Sequence, residues 1–131
     1  MTNKITPFLM FEGRAEEAMN FYVSLFAGSD IQSVKRYGPG ETGAEGTIER
    51  ADFIVAGQAV ICTDSPIEHA FSFTPSFSFF VECESEDELD SAFNQLSDNG
   101  DILMPPDNYG FSRKFTWVSD RFGVSWQLNL S

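Results

Sequence analysis

Ser125, Gln127 and Asn129 alternate with Val124, Trp126, Leu128 and Leu130. A period of two puts the first three side chains on one face of a strand and the apolar four on the other. The polar face offers a hydroxyl and two amides and no charge. Such groups orient an organic ligand by hydrogen bonds in a partly dry pocket; a half-exposed edge strand is the alternative. Residues 76–83 have the same form, with Phe77, Phe79 and Val81 on one face and Ser76, Ser78 and Phe80 on the other. Asp64 ends a strand-like run, where it either faces a pocket mouth or caps the following turn. His69, in a connector containing Pro66 and Pro75, is the side chain whose ordinary pKa lies near neutrality. No nucleophile or acid–base pair stands at motif spacing, so no reaction type is specified. Cys62 and Cys83 sit in or beside apolar runs without a neighbouring histidine or basic residue. They read as buried, reduced thiols rather than nucleophiles or a disulfide.

Gly38, Gly40 and Gly43 match Gly-x-Gly-x-x-Gly. A dinucleotide loop of that form must open a helix whose N-terminus meets the pyrophosphate. This one leads towards the strand-like run from Ile48, so it is expected to be a loop, and no cofactor is expected. Nor is there a methyl-donor fingerprint, an acidic strand end before a glycine-rich turn into a helix. Glu82, Glu84, Glu86, Asp87 and Glu88 form a charge run at a helix start, read as favourable dipole chemistry and a solvated face.

The elements that position these residues follow from periodicity. Ile5 to Phe11 is a short apolar run, read as a strand covered on both faces. Ala15, Ala18, Met19, Tyr22, Leu25 and Phe26 fall at helical spacing, with Gly28 at the C-cap. Strands are expected over 31–37, 48–56 and 59–63, with Gly57 in a hairpin turn. After a connector over 65–75 come a strand over 76–83, a helix opened by the Ser85/Glu88 capping box and ended by Gly100, and strands over 102–104, 111–118 and 124–130. The tight turn Asp120 to Gly123 precedes the last of them. The order is βαβββ twice. A shift of about seventy residues lays Phe8 on Phe80 and Phe21 on Phe93, a loose internal repeat. The expected class is α+β, with helices on one face of a mostly antiparallel, curled sheet. The chain reads as one domain over 1–131, with module one over 4–64 and module two over 76–131.

Composition limits the partners. The chain has 131 residues, fourteen Phe and a net charge of −12, and its eight basic residues form no patch. Such a chain repels phosphate backbones and anionic membranes, so neither nucleic acid nor membrane is expected as a partner. The aromatic load implies a thick core, a large interface or an aromatic pocket. With no run of membrane-spanning length, the protein is read as soluble and cytoplasmic.

Asp120-Arg121-Phe122-Gly123-Val124-Ser125-Trp126-Gln127 resembles the terminal signature of the PhnB-like branch of the glyoxalase/bleomycin-resistance/extradiol-dioxygenase (vicinal oxygen chelate) superfamily, also labelled 3-demethylubiquinone methyltransferase-like. Ile5 to Phe11, Ala15 to Ala18, Phe21-Tyr22, Ala56-Gly57-Gln58 and Ser76 to Cys83 extend the resemblance over nearly the whole chain, in the expected order. It implies paired βαβββ modules whose sheets form a cup around a small-molecule site, and a homodimer. In the superfamily's metalloenzymes, ligands come from the first, fourth, fifth and eighth strands. Here those positions fall at Pro7, near Ile61 to Thr63, at Ser76 and at Gln127. A divalent ion takes anionic or imidazole donors, so no metal is expected. The cup lining implied by alternation is Leu9, Phe11, Ser76, Ser78, Phe80, Trp117, Ser125 and Gln127, with Asn129 beside them and Asp64 and His69 as further candidates. Such a cup is aromatic and neutral, suited to a flat or amphipathic organic ligand rather than a phosphate or a cation. A metal-dependent enzyme of the glyoxalase or dioxygenase type and a drug-sequestering resistance protein are the alternatives. The missing methyl-donor fingerprint weighs against literal methyl transfer.

Overall fold

A computed structural model describes residues 4–131. The elements are β1 (Phe8–Phe11), α1 (Ala15–Leu25), β2 (Asp30–Arg36), β3 (Ile48–Val55), β4 (Gln58–Asp64), β5 (Ser78–Glu82), α2 (Glu86–Ser97), β6 (Asp101–Asp107), β7 (Lys114–Ser119) and β8 (Ser125–Leu130). The βαβββ order therefore occurs twice, in two units divided between His69 and Ala70. Each unit has one four-stranded sheet, ordered β1-β4-β3-β2 and β5-β8-β7-β6. The strand orders superpose when four is added to each label, so the internal repeat is one of topology. Each sheet has one parallel pair, β1 with β4 and β5 with β8, and is otherwise antiparallel.

In the first unit, α1 buries Ala15, Ala18, Met19 and Tyr22, the stripe that helical spacing selects. Register decides which sheet residues meet it. Leu9 pairs with Cys62 and Phe11 with Asp64; Cys62 also pairs with Ala51, and Val60 with Phe53. Cross-strand partners point to the same side, so these seven residues share one face, and all are buried. That face is the helix side, because the Asp64 carboxylate binds the start of α1. Its Oδ1 accepts from the backbone N–H of Gly13 at 2.7 Å and of Ala15 at 3.0 Å, and its Oδ2 accepts from Ile48 N–H at 2.9 Å. Leu9 and Phe11 are thus core residues beneath the helix, one position out of phase with the expected cup lining. Phe8 and Met10 take the helix-free face, and the ring of Phe8 is 59% exposed. The first run is apolar in both phases, so alternation alone could not choose between them. Nor is that run covered on both sides, since Ile5 is 89% exposed and the strand proper starts at Phe8.

The second unit packs Leu89, Ala92 and Leu96 of α2 against its sheet. The sheet presents Phe79, Trp126, Leu128, Val118 and Thr116, all in one register set. Phe79 and Trp126 lie with ring centroids 4.9 Å apart. The Ser85 hydroxyl accepts from Glu88 N–H at 3.1 Å, and the Glu88 carboxylate reaches back to Glu84 N–H at 2.9 Å, as the capping-box pattern requires. After α2 the left-handed residue is Asn99 (φ 58°), not Gly100. Gly100 serves a close approach instead: a Cβ there would stand 2.3 Å from the Ser119 carbonyl oxygen. Strand β6 runs on through Pro105 and Pro106, where a loop was expected. It is an edge strand, and an edge tolerates residues that cannot donate. Strand β5 begins at Ser78, so Ser76 lies outside it.

Candidate functional site on the helix-free face of the second sheet

Three rows of side chains cross the face of the second sheet turned away from α2. Register places Ser78, Ser125, Ser119 and Asp101 in the first row; Phe80, Gln127, Trp117 and Met104 in the second; and Glu82, Asn129, Phe115 and Asp107 in the third. Each row draws one residue from each strand it crosses, so the sheet itself fixes their spacing.

The first two rows are joined by hydrogen bonds. Ser78 and Ser125 share one between their hydroxyls at 2.6 Å. The Trp117 indole N–H donates to Ser125 Oγ at 2.8 Å, and the Gln127 amide donates to Ser78 Oγ at 3.3 Å. Ser125 is buried, Trp117, Gln127 and Ser78 are half-buried, and Phe80 is 54% exposed. Of the expected lining, Ser78, Phe80, Trp117, Ser125 and Gln127 are brought to one face.

The other expected residues lie elsewhere. Leu9 and Phe11 are in the first unit's core. Ser76 is exposed in the loop before β5, its hydroxyl 2.7 Å from that of Thr74. Asp64 is buried at 3% exposure under the start of α1 and caps that helix rather than the connector turn. His69 lies in the connector with its Nε2 2.8 Å from the Ser65 hydroxyl.

Of the third row only Asn129 was expected; Glu82, Phe115 and Asp107 were missed, and they change the electrostatics. Glu82 accepts from the Asn129 amide at 3.0 Å, and the Asn129 Oδ1 is buried with no hydrogen-bond partner. Asp107 stands opposite Phe115. The face is therefore neutral in its middle row only: the exposed Asp101 ends the first row at the β6 edge, and the third row carries two carboxylates. Extending the alternation of Ser78 and Phe80 by one step reaches Glu82, but the carboxylates after it made it read as part of a helix-start charge run. Phe115 gathers Phe80, Tyr109 and Phe111 around it, with centroids at 6.4, 6.2 and 5.0 Å. Tyr109 and Phe111 come from the loop after β6, which alternation cannot place.

The thiols offer no nucleophile. Burial pushes Cys62 up to about 12, with the Asp64 and Asp52 charges adding to it. Burial likewise pushes Cys83 up to about 11, with Glu88 adding to it. The Gly38–Gly43 loop connects β2 to the antiparallel β3 and opens no helix, so it lacks the helix N-terminus a pyrophosphate needs.

Comparison with known proteins follows the same lines. A family model described as 3-demethylubiquinone-9 3-methyltransferase matches residues 3–129. The PhnB protein from Bacillus cereus is 53% identical, with a TM-score of 0.96 over 98% of this chain and 100% of that one. A Pseudomonas aeruginosa protein is 25% identical, with a TM-score of 0.85 over 99% and 98% of the two chains. The fosfomycin resistance protein FosX from Listeria monocytogenes, solved with Mn(II) and sulfate, shares 10% identity and a TM-score of 0.63 over 100% of this chain and 92% of its own. That last likeness is one of fold, the glyoxalase/fosfomycin-resistance fold.

A fold that can hold manganese raises the question of whether these residues fit a metal. The donors around Gln127 are two hydroxyls, an amide and an indole, already bonded to one another. A divalent ion takes carboxylate or imidazole ligands, and this set supplies none. Among the described residues, no three His, Cys, Asp or Glu side chains gather as a metal-holding group. The residues do not fit the group.

Proposed function

This chain belongs to the 3-demethylubiquinone-9 3-methyltransferase, or PhnB-like, family, and from that premise we propose that it binds a flat organic molecule on the helix-free face of its second sheet without a metal ion. The observation that carries this reading is the hydrogen-bonded chain Gln127–Ser78–Ser125–Trp117 beside the exposed ring of Phe80. Polar groups locked to one another at fixed spacing, next to open aromatic surface, orient a ligand and give it apolar area to cover. The family's label does not extend the proposal to methyl transfer, because among the described residues no glycine-rich turn enters a helix to hold a donor nucleotide. Catalysis is not part of the proposal.

The two tryptophans make the test. Trp117 is on the proposed face; Trp126 is buried on the helix side with its indole N–H on Asp120 Oδ2 at 3.0 Å. Titration with naphthol should quench fluorescence saturably. The quench should vanish in Trp117→Phe, which leaves Trp126 to emit. Gln127→Ala should weaken binding about tenfold, the effect of one hydrogen bond. An unchanged quench in Trp117→Phe, or no saturable response in the native protein, would refute the reading. A tight stoichiometric Zn, Mn or Fe site found by metal titration would refute its metal-free clause.

The proposal includes a homodimer. It is supported by Ile102 and Leu103 on the edge strand β6, which are 50% and 41% exposed beside unpaired backbone. A monomer mass in sedimentation equilibrium removes that clause.

A further inference from the structure

We infer that the third row of this face, between Glu82 and Asp107, is a subsite for the positively charged nitrogen of an organic cation, an alkylammonium or quaternary ammonium group. The inference rests on the proposed ligand face and adds the charge of the ligand. It also reverses the expectation of a neutral pocket.

Three observations converge on the row. First, its floor is aromatic. Phe115 is buried, and Phe111 and Phe80 remain 63% and 54% exposed around it. Ring faces carry negative potential and attract cations, quaternary ammonium groups among them. Second, carboxylates stand at both ends. Glu82 is pinned by the Asn129 amide, and Asp107 faces Phe115 from β6. Between them Asn129, in the same row, has a buried Oδ1 with no hydrogen-bond partner. Third, the unit's own cations are engaged elsewhere. Lys114 is on the opposite face, bonded to Glu86 and Asp90 of α2. Arg113 donates to the Ser131 carbonyl at 2.6 Å, and Arg121 lies 5.0 Å over the Phe122 ring in the β7–β8 turn. An anion entering this row would meet two carboxylates and an acceptor. A neutral ligand would leave them uncompensated. A cation is drawn both to the rings and to the field of the two carboxylates.

The test uses the full chain with choline and its uncharged isostere 3,3-dimethylbutan-1-ol, followed by amide-resolved NMR. Choline should saturably shift the amides of Glu82, Phe115 and Asn129, and its N-methyl signal should move upfield under the ring currents. The isostere should bind at least about tenfold more weakly. Phe111→Ala and Glu82→Gln should each weaken choline at least about fivefold while the remaining spectrum stays native. Phe111 is an exposed loop residue, so its truncation leaves the fold intact. Equal binding of choline and the isostere, no choline shifts in this row, or undiminished choline affinity in Glu82→Gln each overturn the subsite. The two proposals fail separately. Loss of the naphthol response with choline binding intact sinks the ligand face of the first two rows, and the converse sinks only the cation subsite.

Discussion

Each unit of the chain buries one aspartate that accepts three N–H donors, but the two sit very differently in the sequence. Asp64 reaches back to Gly13 and Ala15 and across to Ile48. Asp120 binds Phe122 and Val124 through Oδ1 and the Trp126 indole through Oδ2, all within six residues. The first unit caps its helix from the strand paired with β1, about fifty residues away in sequence; the second caps its helix locally, with Ser85 and Glu88. That difference reaches the site. In the first unit a polar group at the end of β4 is turned to the helix side to hold the fold. In the second no such duty falls on β8, so Ser125, Gln127 and Asn129 all face away from the helix. The charges on the two helix-free faces differ too. Arg50 and Asp52 are paired at 2.9 Å in the first unit, and the Arg50 hydrogen bond holds the Asp52 carboxyl below its usual range. Glu82 and Asp107 have no such ion pair among the described residues.

The largest expected effect tests the far-reaching cap. Asp64→Ala leaves three backbone N–H groups without an acceptor, two of them in buried bonds, and should cost on the order of 4 kcal/mol of stability in urea unfolding. Asp120→Ala loses as many bonds, two of them likewise buried, but ties together only residues within six of it in sequence, and should cost about 3 kcal/mol. A cost for Asp64→Ala below that for Asp120→Ala would break the claim that the long-range cap holds the first unit together.

The same contrast explains what could be read before any coordinates. The Asp120-to-Gly123 turn and the Ser85/Glu88 box are local, and the sequence displays both. So does the doubled βαβββ order, because strand and helix periods differ. Asp64 was legible as a polar strand end but not as the cap of α1, since its partners lie about fifty residues away and no spacing rule links them. The phase of β1 was lost because that run is apolar in both phases, and only its register with Cys62 and Asp64 shows Leu9 and Phe11 on the helix side. On β5 and β8 the polar residues occupy one phase only, so alternation selected Ser78, Phe80, Ser125 and Gln127 for the helix-free face. The aromatic loop residues Tyr109 and Phe111 had no periodicity to reveal them.

Helix ends extend the comparison at smaller magnitude. Gly28 lies beyond the C-cap of α1, which is the extended Phe26 and not Gly28 as expected; it has φ +74° with its nearest neighbour 3.9 Å from a would-be Cβ. Gly28→Ala should therefore cost only the left-handed backbone penalty, about 1 kcal/mol. Gly100, after α2, has backbone on three sides, and Gly100→Ala should cost about 2–3 kcal/mol through overpacking. Ser85→Ala removes one local cap and should cost about 1 kcal/mol. Thermal unfolding of the three variants should rank Gly100→Ala first; equal losses would show that the β7–α2 approach relaxes freely.

The smallest effect concerns the two thiols, one per unit. Each is raised in the folded state from an ordinary value of 9.0, Cys62 to about 12 and Cys83 to about 11, chiefly by burial. A thiol raised on folding stays neutral in the native state while the unfolded chain ionises. Its contribution to stability is therefore complete below the ordinary value and is lost as pH rises through the folded one. The loss from Cys83 should finish near pH 11 and that from Cys62 near pH 12. In the native protein at about pH 9, iodoacetamide should modify Cys83 before Cys62, because thiolate population sets the rate. The order carries the argument. Cys62 lies beneath α1 beside Asp64, so its protection reports whether the long-range cap keeps that core shut. If Cys62 reacts as fast as Cys83, the first unit opens more readily than the locally capped one, and the roles assigned to Asp64 and Asp120 must be exchanged.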